Sequence, residues 1–235
     1  SVGVESYGAK RWINLGFITM QPSEVAKFAY VIFCASYIAK YGTHCFKNML
    51  PVIGIGAAIC VLLMLEPNMS ITICVGTIML MLLYIGGAKP KHFLIMSIPI
   101  LALIPVLIIV EPYRLLRIMA FIDPWASPKA EGYQLIQSYY ALGSGGFFGV
   151  GLFNSRQKYL FLPFAESDFI FSIIGEELGF LGCVATILVF VYIVYLGYSI
   201  SSKANSRYAA VLGFGITSVI AVQSVLNIAV VSGAV

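Results

Sequence analysis

Six apolar stretches, each about 20 residues long, constrain this chain more than any motif it carries. A helix needs about 20 apolar residues to cross the roughly 30 Å hydrocarbon core of a bilayer. Such runs fall at about 23–40, 47–65, 69–87, 92–110, 177–198 and 208–231. The expectation is an all-α integral membrane protein, a polytopic helix bundle with six transmembrane helices visible. Composition agrees, because 60% of the 235 residues are hydrophobic and 10% are charged, against about 25% charged residues in a soluble domain. The chain opens on the polar "SVGVESYGAKRWINLG", which is no signal peptide, and stops within the apolar "VLNIAVVSGAV". It is expected to be an internal piece of a longer protein, truncated at both ends.

Charge sets the orientation. Lys40, Lys47, Lys89, Lys91, Lys203 and Arg207 occupy one alternate set of loops, and the short opposite loop "EPNM" has no Lys or Arg. By the positive-inside bias the first set is cytoplasmic, which puts the long loop at about 111–167 on the extracytoplasmic side. With Trp125, Tyr133, Tyr139, Tyr140, Phe147 and Phe148, that loop is too rich in large apolar groups for a solvated linker. Within it "YQLIQSYYAL" reads as a short amphipathic helix and "GSGGFFGVG" as a flexible turn against the membrane surface. Of the chain's 14 basic and 10 acidic residues, five of each lie between Glu111 and Asp168. The polar chemistry is therefore concentrated outside the membrane.

Several residue sets carry no special chemistry. Cys34, Cys60, Cys74 and Cys183 sit in apolar runs and Cys45 in a short loop, with no CxxC or Cys/His spacing, so they read as packing residues. His44 and His92 lie beside lysines in different loops and read as interface residues. "GSGGFFGVG" matches neither a P-loop nor GxGxxG.

The acids are more informative. A helix starting near Ser167 would align Asp168, Ser172, Gly175, Glu176 and Gly179 on one face. Acids at bilayer depth face a bundle interior or a wet cavity. Read as one helix from 168 to 198, the segment would be about 46 Å long, which leaves Asp168 at or just outside the outer interface. Asp168 then has two readings. It complements the helix dipole, for about 0.3–1 kcal/mol, or it is a general base whose pKa is tuned by the neighbouring Glu166. Glu24 and Lys27 share one face near the outer surface, as a structural ion pair or as part of a site. Arg114 and Arg117 likewise share a face, as lipid-phosphate ligands or as interface anchors.

"GAKRWINLGFITMQPSEVAK" (8–27), "PYRLLRIMAFIDPW" (112–125), "GYQLIQSYYALGSGGFFGVGLFNSRQKYLFLP" (132–163) and "SDFIFSIIGEELGFLG" (167–182) stand in the order and spacing of one known family. Together they resemble the SEDS family of bacterial cell-wall polymerases over essentially the whole chain, and "FIDPW" looks more like the FtsW and SpoVE branch than RodA. The resemblance implies a roughly ten-helix fold, of which residues 1–235 form part of a single transmembrane domain. It implies a peptidoglycan glycosyltransferase that polymerises lipid II at the outer face of the bacterial cytoplasmic membrane, in cell division, shape or sporulation. It also implies a class B penicillin-binding protein as partner, other divisome or elongasome proteins, and a divalent cation, Mg²⁺ or Mn²⁺, with no nucleic acid.

The acid of the family's "P-E-x-H-T-D-F-I-F" falls on Asp168, which the resemblance makes the catalytic residue and the metal ligand where a metal is held. The surrounding residues depart from that pattern, with Phe164 for Glu, Glu166 for His and Ser167 for Thr. "LEPNMS" likewise has Asn68 where an acid is commoner. In the implied reaction a sugar hydroxyl needs a base and a departing lipid pyrophosphate needs positive charge. Arg11, Glu24, Lys27, Arg114, Arg117, Lys158 and Glu176 are the candidates for binding that pyrophosphate and lining the cavity. Two alternatives stay open. One is a transporter that flips the lipid-linked precursor, which predicts polar groups and broken helices near the bilayer midplane. The other is a non-catalytic scaffold for division proteins.

Overall fold

The computed structural model describes residues 3–6, 9–14, 19–66, 68–97, 119–120, 122–130, 132–159, 161–163, 165 and 167–234. They fall into two compact units, Ser1–Met96 with Val194–Gln223, and Ser97–Ile193 with Ser224–Val235. The two long C-terminal helices each contribute to both.

The first unit opens on a small antiparallel sheet in the order β1 (Gly3–Ser6), β2 (Ala9–Asn14), β3 (Thr19–Met20). Its register pairs Val4 with Trp12 and Ile13 with Met20. This sheet is an addition to the all-α expectation, which holds for the apolar part of the chain.

Three helices follow, and their ends are written in the sequence. Helix α1 (Pro22–Tyr41) starts with proline in its first turn, where the missing N–H costs nothing. It has Glu24 near its N-terminus and Lys40 near its C-terminus, both signs favourable to the dipole. Helix α2 (Phe46–Leu65) packs against α3 (Met69–Ile85), which begins at Asn68, whose side chain accepts from the Ile71 N–H at 3.4 Å. Asn is as good a cap as Asp, so losing the family's commoner acid at this position does not cost the helix its start. Val31, Cys34, Ile38, Met49, Val52, Ile78, Leu82 and Leu83 form the interior, and Tyr30 Oη donates to the Val52 carbonyl at 2.9 Å. Residues 90–97 are helical.

The second unit holds a 3-10 turn (Pro124–Ala126), helix α4 (Tyr133–Gly145), the N-terminal part of α5 (Ile170–Ser202) and the C-terminal end of α6 (Arg207–Ser232). Asp123 caps the 3-10 turn by accepting from the Trp125 N–H, and Trp125 packs edge-on against Tyr140. Helix α4 is the amphipathic helix expected over "YQLIQSYYAL". Leu162, Ala165, Phe169, Phe171, Ile173 and Val231 form the unit's core, with Leu142, Cys183 and Ile228 against it.

Among the described residues three helices, α2, α5 and α6, are long and apolar enough to cross a membrane, and the protein is a helical membrane protein. Helix α3 is a shorter apolar helix, and α1 covers the first expected run. Tyr195 and Ile200 on α5 and Leu65 on α2 stand about two-thirds or more exposed, which suits contact with lipid. The expected span at 92–110 falls mostly outside the described residues, as do Arg114, Arg117, Phe164 and Glu166.

One expectation is corrected. The segment from 168 to 198 is not one continuous helix, because α5 begins at Ile170 and is broken at Gly179, whose φ of 67° and ψ of −163° are not helical. Residues 180–202 alone measure about 34 Å, enough to cross the hydrocarbon core without the turns before the break.

Candidate functional site

The break at Gly179 is repaired by the loop that follows α4. Broken helices lose backbone partners, and buried backbone groups must find others. Here the Val150 and Gly151 amides donate to the carbonyls of Glu176 and Glu177 at 2.9 and 3.0 Å. In return the Phe180 and Leu181 amides donate to the carbonyls of Gly146 and Phe147 at 2.9 and 3.3 Å. The approach is backbone on backbone, and a side chain at Gly149 would run into the Glu177 carbonyl. "GSGGFFGVG" is therefore a splint for a broken helix and not a free turn at the membrane surface.

Two acids beside the break hold the rest of the loop. Glu176 is 3% exposed. Its carboxylate accepts from Ser155 Oγ at 2.5 Å, the Arg156 N–H at 3.0 Å and the Gln157 N–H at 3.3 Å. Glu177 accepts from the Ser155 N–H and from Lys158 Nζ, the latter at 2.6 Å. A buried carboxylate is costly unless its lone pairs are filled, and here they are. Lys158, a candidate for the pyrophosphate, carries an ion pair with Glu177.

Beside this junction a cleft of about 570 Å³ is lined by Ser144, Val150, Asn154, Arg156 and Glu176. Sequence reading singled out Glu176 but passed over Ser155 and Arg156. Their only signal was position in "NSRQK", since the partner acids lie about twenty residues further on.

Asp168 lies in the turn just before α5, between two anchors. Phe169 is buried in the unit's core, and Asn227 Nδ2 donates to the Asp168 carbonyl at 2.8 Å. Although the residue is exposed as a whole, the protein around the carboxyl is enough to push its pKa up, and burial is the cause. Nearby, Ser138 Oγ gives its hydrogen to the Val231 carbonyl at 2.7 Å, so Ser172 Oγ is the donor in the 2.8 Å bond between the two serines. The polar stripe expected on α5 is thus spent as follows. Ser172 faces α4, Glu176 clamps the loop, Gly179 is the break, and among the described residues nothing takes up the Asp168 carboxyl.

In the first unit, Glu24 and Lys27 form the expected pair. Lys27 Nζ lies 2.8 Å from Glu24 Oε2 and donates to Gln223 Oε1 at 2.8 Å, with Lys27 1% exposed and Glu24 39% exposed. Arg11 lies on β2. Among the described residues no group of three or more His, Cys, Asp or Glu side chains could hold a metal ion.

The profile of a family described as "Cell cycle protein", taking in FtsW, RodA and SpoVE, matches residues 1–235. The chain is 37% identical to the stage V sporulation protein E of Bacillus subtilis strain 168, over 99% of its own length and 64% of that protein. It is 36% identical to a probable peptidoglycan glycosyltransferase FtsW of Saccharophagus degradans, over 99% of its length and 62% of that protein. Among solved structures, a chain of a peptidoglycan synthase complex, described as coordinating polymerization and crosslinking, superposes with a TM-score of 0.76 at 22% identity, covering 99% of this chain and 65% of that one. A crystal structure of a mutant of the Thermus thermophilus rod shape determining protein RodA gives 0.60 at 20% identity, covering 99% and 61%. At these identities the two structures speak for the fold alone.

Proposed function

The chain belongs to the FtsW, RodA and SpoVE family, and on that premise we propose that the protein it comes from is a peptidoglycan glycosyltransferase. It would polymerise lipid II at the outer face of the bacterial cytoplasmic membrane. The observation that carries this reading is the gathering of Asp168, Glu176, Glu177, Arg156 and Lys158 in one unit, before a break beyond which α5 is still long enough to span the bilayer. The relatives' names support the activity, although the chain spans 64% and 62% of the length of those two curated relatives.

In this reading the six apolar runs are six spans of a larger bundle, and the segment at about 111–167 is extracytoplasmic. Asp168 accepts the proton of the attacking sugar hydroxyl. A carboxyl with a raised pKa is a better proton acceptor than an ordinary one, because base strength follows pKa. Arg11, Arg114 and Arg117 remain candidates for the pyrophosphate, and the Glu24–Lys27 pair for the cavity wall. A Mg²⁺ or Mn²⁺ ion would take most of its oxygens from substrate phosphates and water, as magnesium sites commonly do, and Asp168, the protein carboxylate proposed for it, would hold it only at the expense of its part as base. When bound, it would offset charge on the leaving group. A class B penicillin-binding protein is the partner class that fits, with lipid II as substrate.

Transport of the same precursor calls for a broken helix near the bilayer midplane. The break at Gly179 sits at one end of a segment already long enough to cross, which favours chemistry at an interface. Incubating the purified full-length protein with lipid II and Mg²⁺ or Mn²⁺, with and without a class B penicillin-binding protein, tests the proposal. Glycan strands on a gel support it. Translocated but unpolymerised lipid II would favour the transporter, and neither product would favour the scaffold.

A further inference from the structure

The loop splinting the helix break carries two cations, and they are used differently. Lys158 is paired with Glu177 at 2.6 Å. Arg156 donates only its backbone N–H, to Glu176 Oε1. Among the described residues its guanidinium has neither a hydrogen bond nor an ion pair. Glu176 does not need it, since the carboxylate is already filled by one hydroxyl and two amides. The clamp therefore fixes the Arg156 backbone and, among the described residues, leaves the charged group unspent.

Arg156 is one of the residues lining the cleft of about 570 Å³, a volume within the roughly 300–1,000 Å³ typical of small-molecule sites. Ser144 and Asn154 line the same cleft, as does Glu176, whose carboxylate is filled by the loop's donors. Asn154 Nδ2 bonds the Val150 carbonyl at 3.3 Å and keeps a second hydrogen, and Ser144 Oγ, which donates to the Ala141 carbonyl, keeps its lone pairs. A guanidinium presents donors in a rigid fork that matches phosphate oxygens two at a time.

We infer that this cleft is a diphosphate-binding subsite in which Arg156 holds the phosphate oxygens. The source of the diphosphate, a lipid-linked sugar donor, rests on the glycosyltransferase reading. The geometry of the subsite does not.

The test uses the full-length protein in phosphatidylcholine nanodiscs, titrated with a polyprenyl diphosphate. Wild type should bind, and Arg156→Gln should bind about tenfold or more weakly, the scale of a lost charged hydrogen bond. Arg156→Lys, which keeps the charge without the fork, should fall between them. The side chain is exposed and its backbone bond survives substitution, so both variants should melt with wild type. A second arm replaces part of the phosphatidylcholine with phosphatidylglycerol. Wild-type affinity should hardly change, because a bulk headgroup carries one phosphate and lacks the second.

Equal affinity of wild type and Arg156→Gln would overturn the inference, as would displacement by phosphatidylglycerol. The assay needs no turnover. A protein that binds through Arg156 yet makes no glycan would overturn the glycosyltransferase reading and keep the subsite. Glycan synthesis with binding indifferent to Arg156 would do the reverse.

Discussion

Ser155 Oγ donates to Glu176 Oε2 across 2.5 Å, joining a loop to a helix 21 residues further along the chain. A hydroxyl-to-carboxylate bond is charge-assisted, roughly twice as strong as a neutral one. With the two amide bonds to the same carboxylate, it holds the Ser155–Gln157 backbone against α5 just before the helix break.

Removing that carboxylate should release the loop without unfolding the bundle. Glu176→Ala leaves one buried hydroxyl and two part-buried amides without their acceptor, for a local loss of about 3 kcal/mol. Hydrogen exchange at the Arg156 and Gln157 amides should rise at least 100-fold in the variant, while amides in the middle of α2 keep wild-type rates. Unchanged exchange at Arg156 would mean that the loop is held by its backbone bonds alone.

Gly149 tests the splint itself. Its φ of 81° disfavours any L side chain, and a Cβ there would meet the Glu177 carbonyl. Gly149→Ala should cost about 1–3 kcal/mol of local stability and lower glycan synthesis more than the same change at Gly143, where a Cβ meets nothing within 4 Å. Equal effects at the two positions would argue that the docking of the loop on the break is unimportant.

Stability should depend on pH through Asp168. Its folded pKa lies above the ordinary carboxylate value of about 4, so the folded protein holds this proton more tightly than the unfolded chain does. Ionising it therefore costs stability. The cost is absent below the ordinary value and grows as pH rises from there through the raised one. Asp168→Asn escapes that cost. Melting curves of wild type and Asp168→Asn should coincide at the acid end and separate in the variant's favour at neutral pH. A variant less stable at neutral pH would instead support a dipole-complementing role.

Orientation can be tested with single cysteines in a variant lacking the native ones. Lys129→Cys, on the segment proposed to be extracytoplasmic, should react with a membrane-impermeant thiol reagent in intact cells. Ser202→Cys, at the far end of α5, should not. The opposite pattern would invert the topology and put Asp168 in the cytoplasm.

Legibility in the sequence followed the range of the interactions involved. Helices α1, α2, α3 and α6 could be read off because an apolar run of membrane length, a proline at position 22 and a cap at Asn68 are local signals. Asp168 stood out as the acid kept at its position in a motif shared across a family. The break at Gly179 did not. A glycine inside an apolar run is compatible with an unbroken helix, and the break exists because a loop some thirty residues earlier supplies new backbone partners. For the same reason the sequence offered Glu176 as a cavity acid, which it is, without showing that its carboxylate also clamps the loop, and it did not show that Lys158 pairs with Glu177. Arg156 drew no notice because its value as a cation depends on what its neighbours leave unspent.

The central claim is that Asp168 is the base of a lipid-linked glycosyl transfer, and the most direct measurement is glycan synthesis by full-length Asp168→Asn. Asn keeps the size and polarity of the side chain but cannot take the proton. Polymerisation of lipid II should fall by about 10²–10⁴, the contribution of general base catalysis, while lipid II binding and the melting temperature at acid pH stay at wild-type values. A folded Asp168→Asn protein that polymerises lipid II at the wild-type rate would contradict the account.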